Sequence, residues 1–155
     1  RSQESVTAFR YMVFESDEAD VQDWLGFVVQ LPLRVAAVYT SAFERIPELE
    51  LPSVPDWVEP AWHLYVVRLN LDRLRVGRKD VFAALRAEGI GVNVHYIPVP
   101  WHPYYQALGY RKGQWPVAEK EYERLLSLPM WAGMTDADIQ DTILAVEKVI
   151  AAYRR

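Results

Sequence analysis

The chain has 155 residues, enough for one hydrophobic core, and its 51% apolar and 25% charged residues exclude the disordered and collagen-like classes. A formal charge of −4 provides no basic stripe for nucleic acid. The lack of cysteine removes disulfides, thiolate nucleophiles and Cys-containing zinc sites, which fits a reducing compartment, by default the cytoplasm.

Phe9, Tyr11, Val13 and Phe14 hint at a strand, and Glu15–Asp20 reads as an acidic turn. The most apolar stretch, Trp24–Leu33, is too short to span a bilayer, so no membrane partner is expected. The first residue is Arg1 and no signal-peptide succession follows it, which predicts a trimmed or incomplete product. From Leu33, apolar residues at Val35, Val38, Tyr39, Ala42 and Phe43 recur at helical spacing up to Pro47. Three prolines within Leu51–Pro60 predict an extended spacer, and Trp62–Leu69 predicts an interior strand, apolar on both faces.

Arg78–Glu88 carries Val81, Phe82 and Leu85 on one helical face, with Gly89 placed for a left-handed C-cap. Ile90–Pro98 alternates as a strand should, with Ile90, Val92, Val94 and Tyr96 on one face and Gly91, Asn93, His95 and Ile97 on the other; His95 is then expected to point away from Tyr96. Pro116–Leu126 predicts a further helix, and Leu128–Met130 a short extended piece. Thr135 and Asp138 form a capping-box pattern that opens a last helix, with a stripe of Ile139, Ile143, Val146, Ile150 and Tyr153. The expected class is α+β, a small antiparallel or mixed sheet covered by helices on one side.

Candidate chemistry concentrates at residues 91–110, where His95 and His102 flank a proline-containing turn dense in aromatic residues. An imidazole there suits an acid, a base or a hydrogen-bond donor to substrate. The same residues also suit a plain structural role, with His95 capping a sheet edge and Trp101, Tyr104 and Tyr105 covering the end of the core. The residues alone leave both readings open. Ligand spacing for a metal is missing, since His63 belongs to another predicted strand, and no serine lies in a G-x-S-x-G elbow. Glu119, Glu121 and Glu123, interleaved with Lys120 and Arg124, read as a solvated helix face.

At this turn a resemblance emerges. The stretch LRAEGIGVNVHYIPVPWHPYYQALGY followed by PVAEKEYERLLSLPMWAGMTDADIQDTILAVEKVI resembles the C-terminal part of the DegT/DnrJ/EryC1/StrS family of pyridoxal-phosphate-dependent sugar aminotransferases, most of all the branch making the 4-amino sugar of the pseudaminic acid pathway. The likeness runs from Trp62 to the end. Upstream, Asp20–Leu31 and residues 34–52 resemble the family's connecting helices, with fewer residues between Leu31 and Arg34 than the family pattern has.

The resemblance implies a fold-type I aminotransferase that passes an amino group, from glutamate, to a nucleotide-linked 4-keto-hexose, and that works as a homodimer. Residues 51–155 would be its small C-terminal domain and residues 1–50 a remnant of the inter-domain region. It also implies substrate contacts at His95, Tyr96, His102 and Tyr105. The family's cofactor lysine has no counterpart here, because Lys79, Lys112, Lys120 and Lys148 all stand outside its sequence context. The chain alone is therefore expected to be inert and to hold no stoichiometric pyridoxal phosphate. Pro100 and Trp101 stand where the close branch has His and Leu, which removes one imidazole and one backbone donor. A reading from another class remains beside this one: a non-catalytic module that pairs through apolar surface, including that of the first thirty residues.

Overall fold

The computed structural model describes residues 34–58, 60–131 and 133–155. The expectations for the first thirty residues lie outside that range. Helix α1 occupies 34–43 and buries Val35, Ala36, Tyr39 and Phe43, one stripe at helical spacing. It stops four residues before Pro47, and the chain turns into a short strand β1, Leu49–Glu50. The proline-rich spacer carries no helix or strand, and the chain then enters β2, Tyr65–Leu69, where aromatic and β-branched residues favour the pleated backbone.

β2 is the centre of a three-stranded antiparallel sheet, flanked by β1 and by β3, Leu125–Leu128. Leu49 pairs with Leu69, Tyr65 with Leu128 and Val67 with Leu126, so these six buried side chains share the core face. The predicted helix Pro116–Leu126 is shorter, because α4, Pro116–Arg124, hands over to β3 at Leu125; two leucines suit strand and helix alike until a partner strand is present.

Helix α2, Arg78–Ala87, packs Val81 and Leu85 inward. Glu88 is its C-cap, and Gly89 follows at φ 82°, a conformation that costs a side chain least when the side chain is absent. Helix α3, Pro103–Ala107, is a single exposed turn and a half. The last helix, α5, spans Asp136–Tyr153 and inserts Ile139, Ile143, Val146, Val149 and Ile150 into the core. Its capping box is complete: the Thr135 amide donates to Asp138 Oδ2 at 2.8 Å and the Asp138 amide to Thr135 Oγ1 at 3.2 Å.

Tyr39 ties α1 to the end of β3, its hydroxyl donating to the Pro129 carbonyl at 2.9 Å, while its ring meets Phe43 and Tyr65 at 5.6 and 5.2 Å. Burial pushes the Tyr39 phenol up to about 12.

Four further expectations are corrected. Ile90–Pro98 is not a strand; only Asn93 bridges to Ser127, and no other residue of the segment pairs with a strand. Without a ladder the alternation lapses, and His95 and Tyr96 lie ring to ring at 4.6 Å instead of pointing apart. The sheet is covered on both sides, since α4 meets the face opposite the core: Arg68 pairs with Glu50 at 2.6 Å, and Arg124 with Glu50 at 2.6 Å and Glu121 at 2.7 Å. The glutamates of α4 are not one solvated face either, because residues two apart on a helix lie nearly opposite each other. Glu121 joins the ion pairs, whereas Glu119 accepts from the Gly113 amide at 2.8 Å.

Candidate active site

Three segments far apart in sequence meet beside the start of α5. The segment after α2 is pinned to β3 by two hydrogen bonds, from the Asn93 amide to the Ser127 carbonyl at 3.0 Å and from the Ser127 amide to the Asn93 carbonyl at 2.8 Å. That pairing places His95, two residues on, with Nδ1 2.9 Å from Ser127 Oγ. The serine hydroxyl can donate to or accept from the ring, so it orients the imidazole in either tautomer. β3 then runs on through Pro129 and Met130 to Trp131, and α5 supplies Asp138, Asp141 and Thr142.

Together with His63, which precedes β2, these residues line an open cleft of about 610 Å³. Trp131, which also lines the cleft, is 47% exposed. The hydroxyl of Thr135 holds the Asp138 carboxyl below its ordinary range, so Asp138 carries a full charge at neutral pH. Among the described residues no lysine or arginine lines the cleft. Its chemistry is that of amide, imidazole, hydroxyl and carboxylate groups around an aromatic face, which suits the hydroxyl groups and the apolar ring face of a sugar.

Of the residues expected to touch substrate, His95 lines this cleft. Tyr96 stands next to it, 71% exposed. His102 is the exposed N-cap of α3, and Tyr105 belongs to a run of rings formed with Tyr104, Tyr110 and Trp115 at 5.3, 6.0 and 5.4 Å. Neither lines the cleft. Tyr104 and Tyr105 are exposed, so they do not cover the core; Trp101 does turn inward, its ring 5.4 Å from Tyr122 with the Lys112 ammonium 4.1 Å above it.

His63, Trp131 and Asp141 were not among the expected site residues. No local motif marks them, because each comes from a different segment. Asn93 had a usable signal: it shares the alternation phase of Gly91 and His95, and all three line the cleft.

The cleft does not fit pyridoxal phosphate. A Schiff base needs a lysine and a phosphate needs donors or positive charge. Among the lysines, Lys148 is bound to Glu88 at 2.7 Å, Lys112 sits over Trp101, and Lys79 and Lys120 lie on α2 and α4 outside the cleft. No group of three or more His, Asp or Glu residues among the described residues could hold a metal ion. No helix among them is long and apolar enough to cross a membrane.

Comparison with known proteins gives the cleft its context. The chain is 42% identical over 118 residues to the spore coat polysaccharide biosynthesis protein SpsC of Bacillus subtilis, covering 75% of this chain and 30% of that protein. Among solved structures, S. venezuelae DesV, in complex with a ketimine intermediate, is 29% identical with a TM-score of 0.72, over 81% of this chain and 33% of DesV. A candidate sugar aminotransferase of Streptococcus pneumoniae in its pyridoxal-phosphate form is 25% identical with a TM-score of 0.76, over 84% and 33%. The chain thus spans about a third of the length of these relatives. Residues 28–147, which take in the sheet, the cleft and all but the last turns of α5, match the DegT/DnrJ/EryC1/StrS aminotransferase family, and the chain belongs to that family.

Proposed function

We propose that this chain forms the substrate side of a pyridoxal-phosphate-dependent sugar aminotransferase, with residues 51–155 as its small C-terminal domain and residues 1–50 as the lead-in from the rest of the enzyme. The whole enzyme would act in the cytoplasm as a homodimer and transfer an amino group from glutamate to a nucleotide-linked 4-keto-hexose. One observation carries the reading: in a chain of this family, the cleft beside His95 presents sugar-compatible groups and no lysine. The cofactor supplies the amino-group chemistry, and none of this chain's four lysines lines the cleft to tether it. The chain by itself is then inert.

Within that reading His95 and Tyr96 touch the keto-sugar, while His102 and Tyr105 approach it from the adjoining turn. The finer reading, a sugar of the pseudaminic type, rests on the His95–Val99 and His102–Tyr105 motifs. Against it stand Pro100 and Trp101, the second of which is engaged in packing on Tyr122.

The test is titration with pyridoxal phosphate, borohydride reduction and peptide mapping. Diffuse, substoichiometric labelling is expected. A single stoichiometric adduct on Lys79, Lys112, Lys120 or Lys148 would show that this chain holds its own cofactor. In a full-length relative, replacing the residues aligned with His95 and Tyr96 by alanine should lower kcat/KM for the keto-sugar at least about tenfold; unchanged kinetics would remove both from the site.

A second reading, a non-catalytic pairing module, draws on the exposed rings of Tyr104, Tyr105, Tyr110 and Trp115. Light scattering on the eluting chain separates the two. A concentration-dependent dimer that alanine at Tyr104 and Trp115 dissolves would favour the module, and a monomer that binds no hydrophobic dye would end it.

A further inference from the structure

The opposite end of α5 carries a second cleft of different character. It holds about 420 Å³ and is lined by Arg45, Arg73, Arg154 and Arg155 together with Glu48 and Asp72. Four guanidinium groups against two carboxylates make a locally positive site on a chain whose formal charge is −4. Along α5 the first cleft is lined from Asp138 to Thr142 and the second from Arg154, which sets them roughly 18–24 Å apart along the axis.

Part of this charge has an ordinary structural use. Arg154 is bound to the buried Glu48 through two hydrogen bonds, at 2.7 and 2.9 Å, and positive side chains stabilise a helix C-terminus. Arg155 donates Nε to the Leu74 carbonyl at 2.9 Å. Arg45 and Arg73 are different. Neither guanidinium has a hydrogen-bond or ion-pair partner among the described residues, yet both line the cleft.

The backbone keeps these charges close. The Arg155 amide donates to the Arg73 carbonyl at 3.0 Å, and Leu74 bridges Arg154, so Arg73 and Arg155 are carried side by side across an antiparallel bridge. Like charges fixed together repel, and an oxyanion between them reverses the sign of that interaction. Glu48 is already neutralised by Arg154, which leaves Asp72 as the opposing carboxylate side chain among the described residues that line the cleft.

We propose that this cleft is a binding site for a small polyanion of phosphate chemistry, held by Arg45, Arg73 and Arg155 and separate from the sugar-compatible cleft. The two clefts share no lining residue, so the anion site is distinct from the sugar-compatible one. The donors are guanidiniums, which stay charged over the whole working pH range and fork onto two oxygens at once.

Calorimetric titration of the full chain with inorganic pyrophosphate at about 0.15 M salt tests the site, since screening there removes diffuse attraction. One-to-one saturable binding is expected, weakened at least about tenfold in both Arg45→Ala and Arg73→Ala. Arg73→Lys should recover part of the loss, because it keeps the charge and gives up the fork. Asp72→Asn should tighten binding, a change that a merely structural loss of Arg73 would not mimic. Lys79→Ala, on α2, serves as the control, and circular dichroism verifies that each variant is folded.

Uridine diphosphate in a parallel titration distinguishes the source of the anion. Tighter binding than pyrophosphate assigns a nucleotide to the site, and equal or weaker binding assigns a free phosphate compound. Binding that is unsaturable, equal in the wild type and both alanine variants, or as sensitive to Lys79→Ala as to Arg73→Ala overturns the proposal.

Discussion

Glu48 is 2% exposed and survives there because Arg154 meets both of its oxygens. The Arg154 hydrogen bonds hold its carboxyl below the ordinary carboxylate range. Such a group stabilises the fold above its unfolded pKa, about 4.3, and loses that contribution as pH falls through the lower folded value. Glu48→Gln should therefore lower the urea midpoint at pH 7, and the difference from wild type should shrink in acid below about pH 4. Parallel denaturation curves at the two pH values check it. Gly89 is a second such position: at φ 82° a side chain is strained, and Gly89→Ala is expected to cost on the order of 1 kcal/mol in the same measurement.

Among the elements, α5 has the firmest local signals. Thr135→Ala removes the side chain that caps the Asp138 amide, and a loss of about 1 kcal/mol is expected in thermal or chemical unfolding. This helix was also the most legible in sequence, because the Thr135–Asp138 box and the stripe from Ile139 to Ile150 are local and act together. Gly89 marked the end of α2 for the same reason. Ile90–Pro98 was misread because a period of two shows an extended backbone but not whether another strand lies beside it. β3 was hidden behind α4, since Leu125 and Leu126 satisfy either period until β2 pairs with them. The cleft was the least legible feature. His95 and Asn93 had a phase to follow, but His63, Trp131 and Asp141 reach the site only after β3 and α5 are in place.

At the scale of the whole molecule, charge is segregated along α5. The cleft at its start is lined by Asp138 and Asp141, the cleft at its end by four arginines. The outer face of the sheet is joined to α4 by Glu50, Arg68, Glu121 and Arg124, all partly exposed. Such pairs are weak singly and screened by salt. Arg68→Ala should shift stability by less than about 1 kcal/mol at low ionic strength, and the shift should fade in about 1 M salt, read from unfolding midpoints. Loss of the core contact Val67, 1% exposed and paired with Leu126, should act without regard to salt: Val67→Ala is expected to cost about 2 kcal/mol at either ionic strength.

The buried phenol of Tyr39 gives the molecule an optical reporter of its own integrity. Tyrosinate absorbs where neutral phenol does not. Tyr39, held near 12 by burial, must stay neutral for as long as α1 remains seated on β2 and the Pro129 carbonyl. Above its unfolded value near 10 the unfolded chain binds fewer protons, so alkali draws the equilibrium toward release of α1. A slow final step in tyrosinate absorbance after a jump to alkaline pH, shared by Tyr39 and the equally buried Tyr65 whose hydroxyl meets Thr40 of α1 at 2.9 Å, would then time the departure of α1, with no label added to the protein.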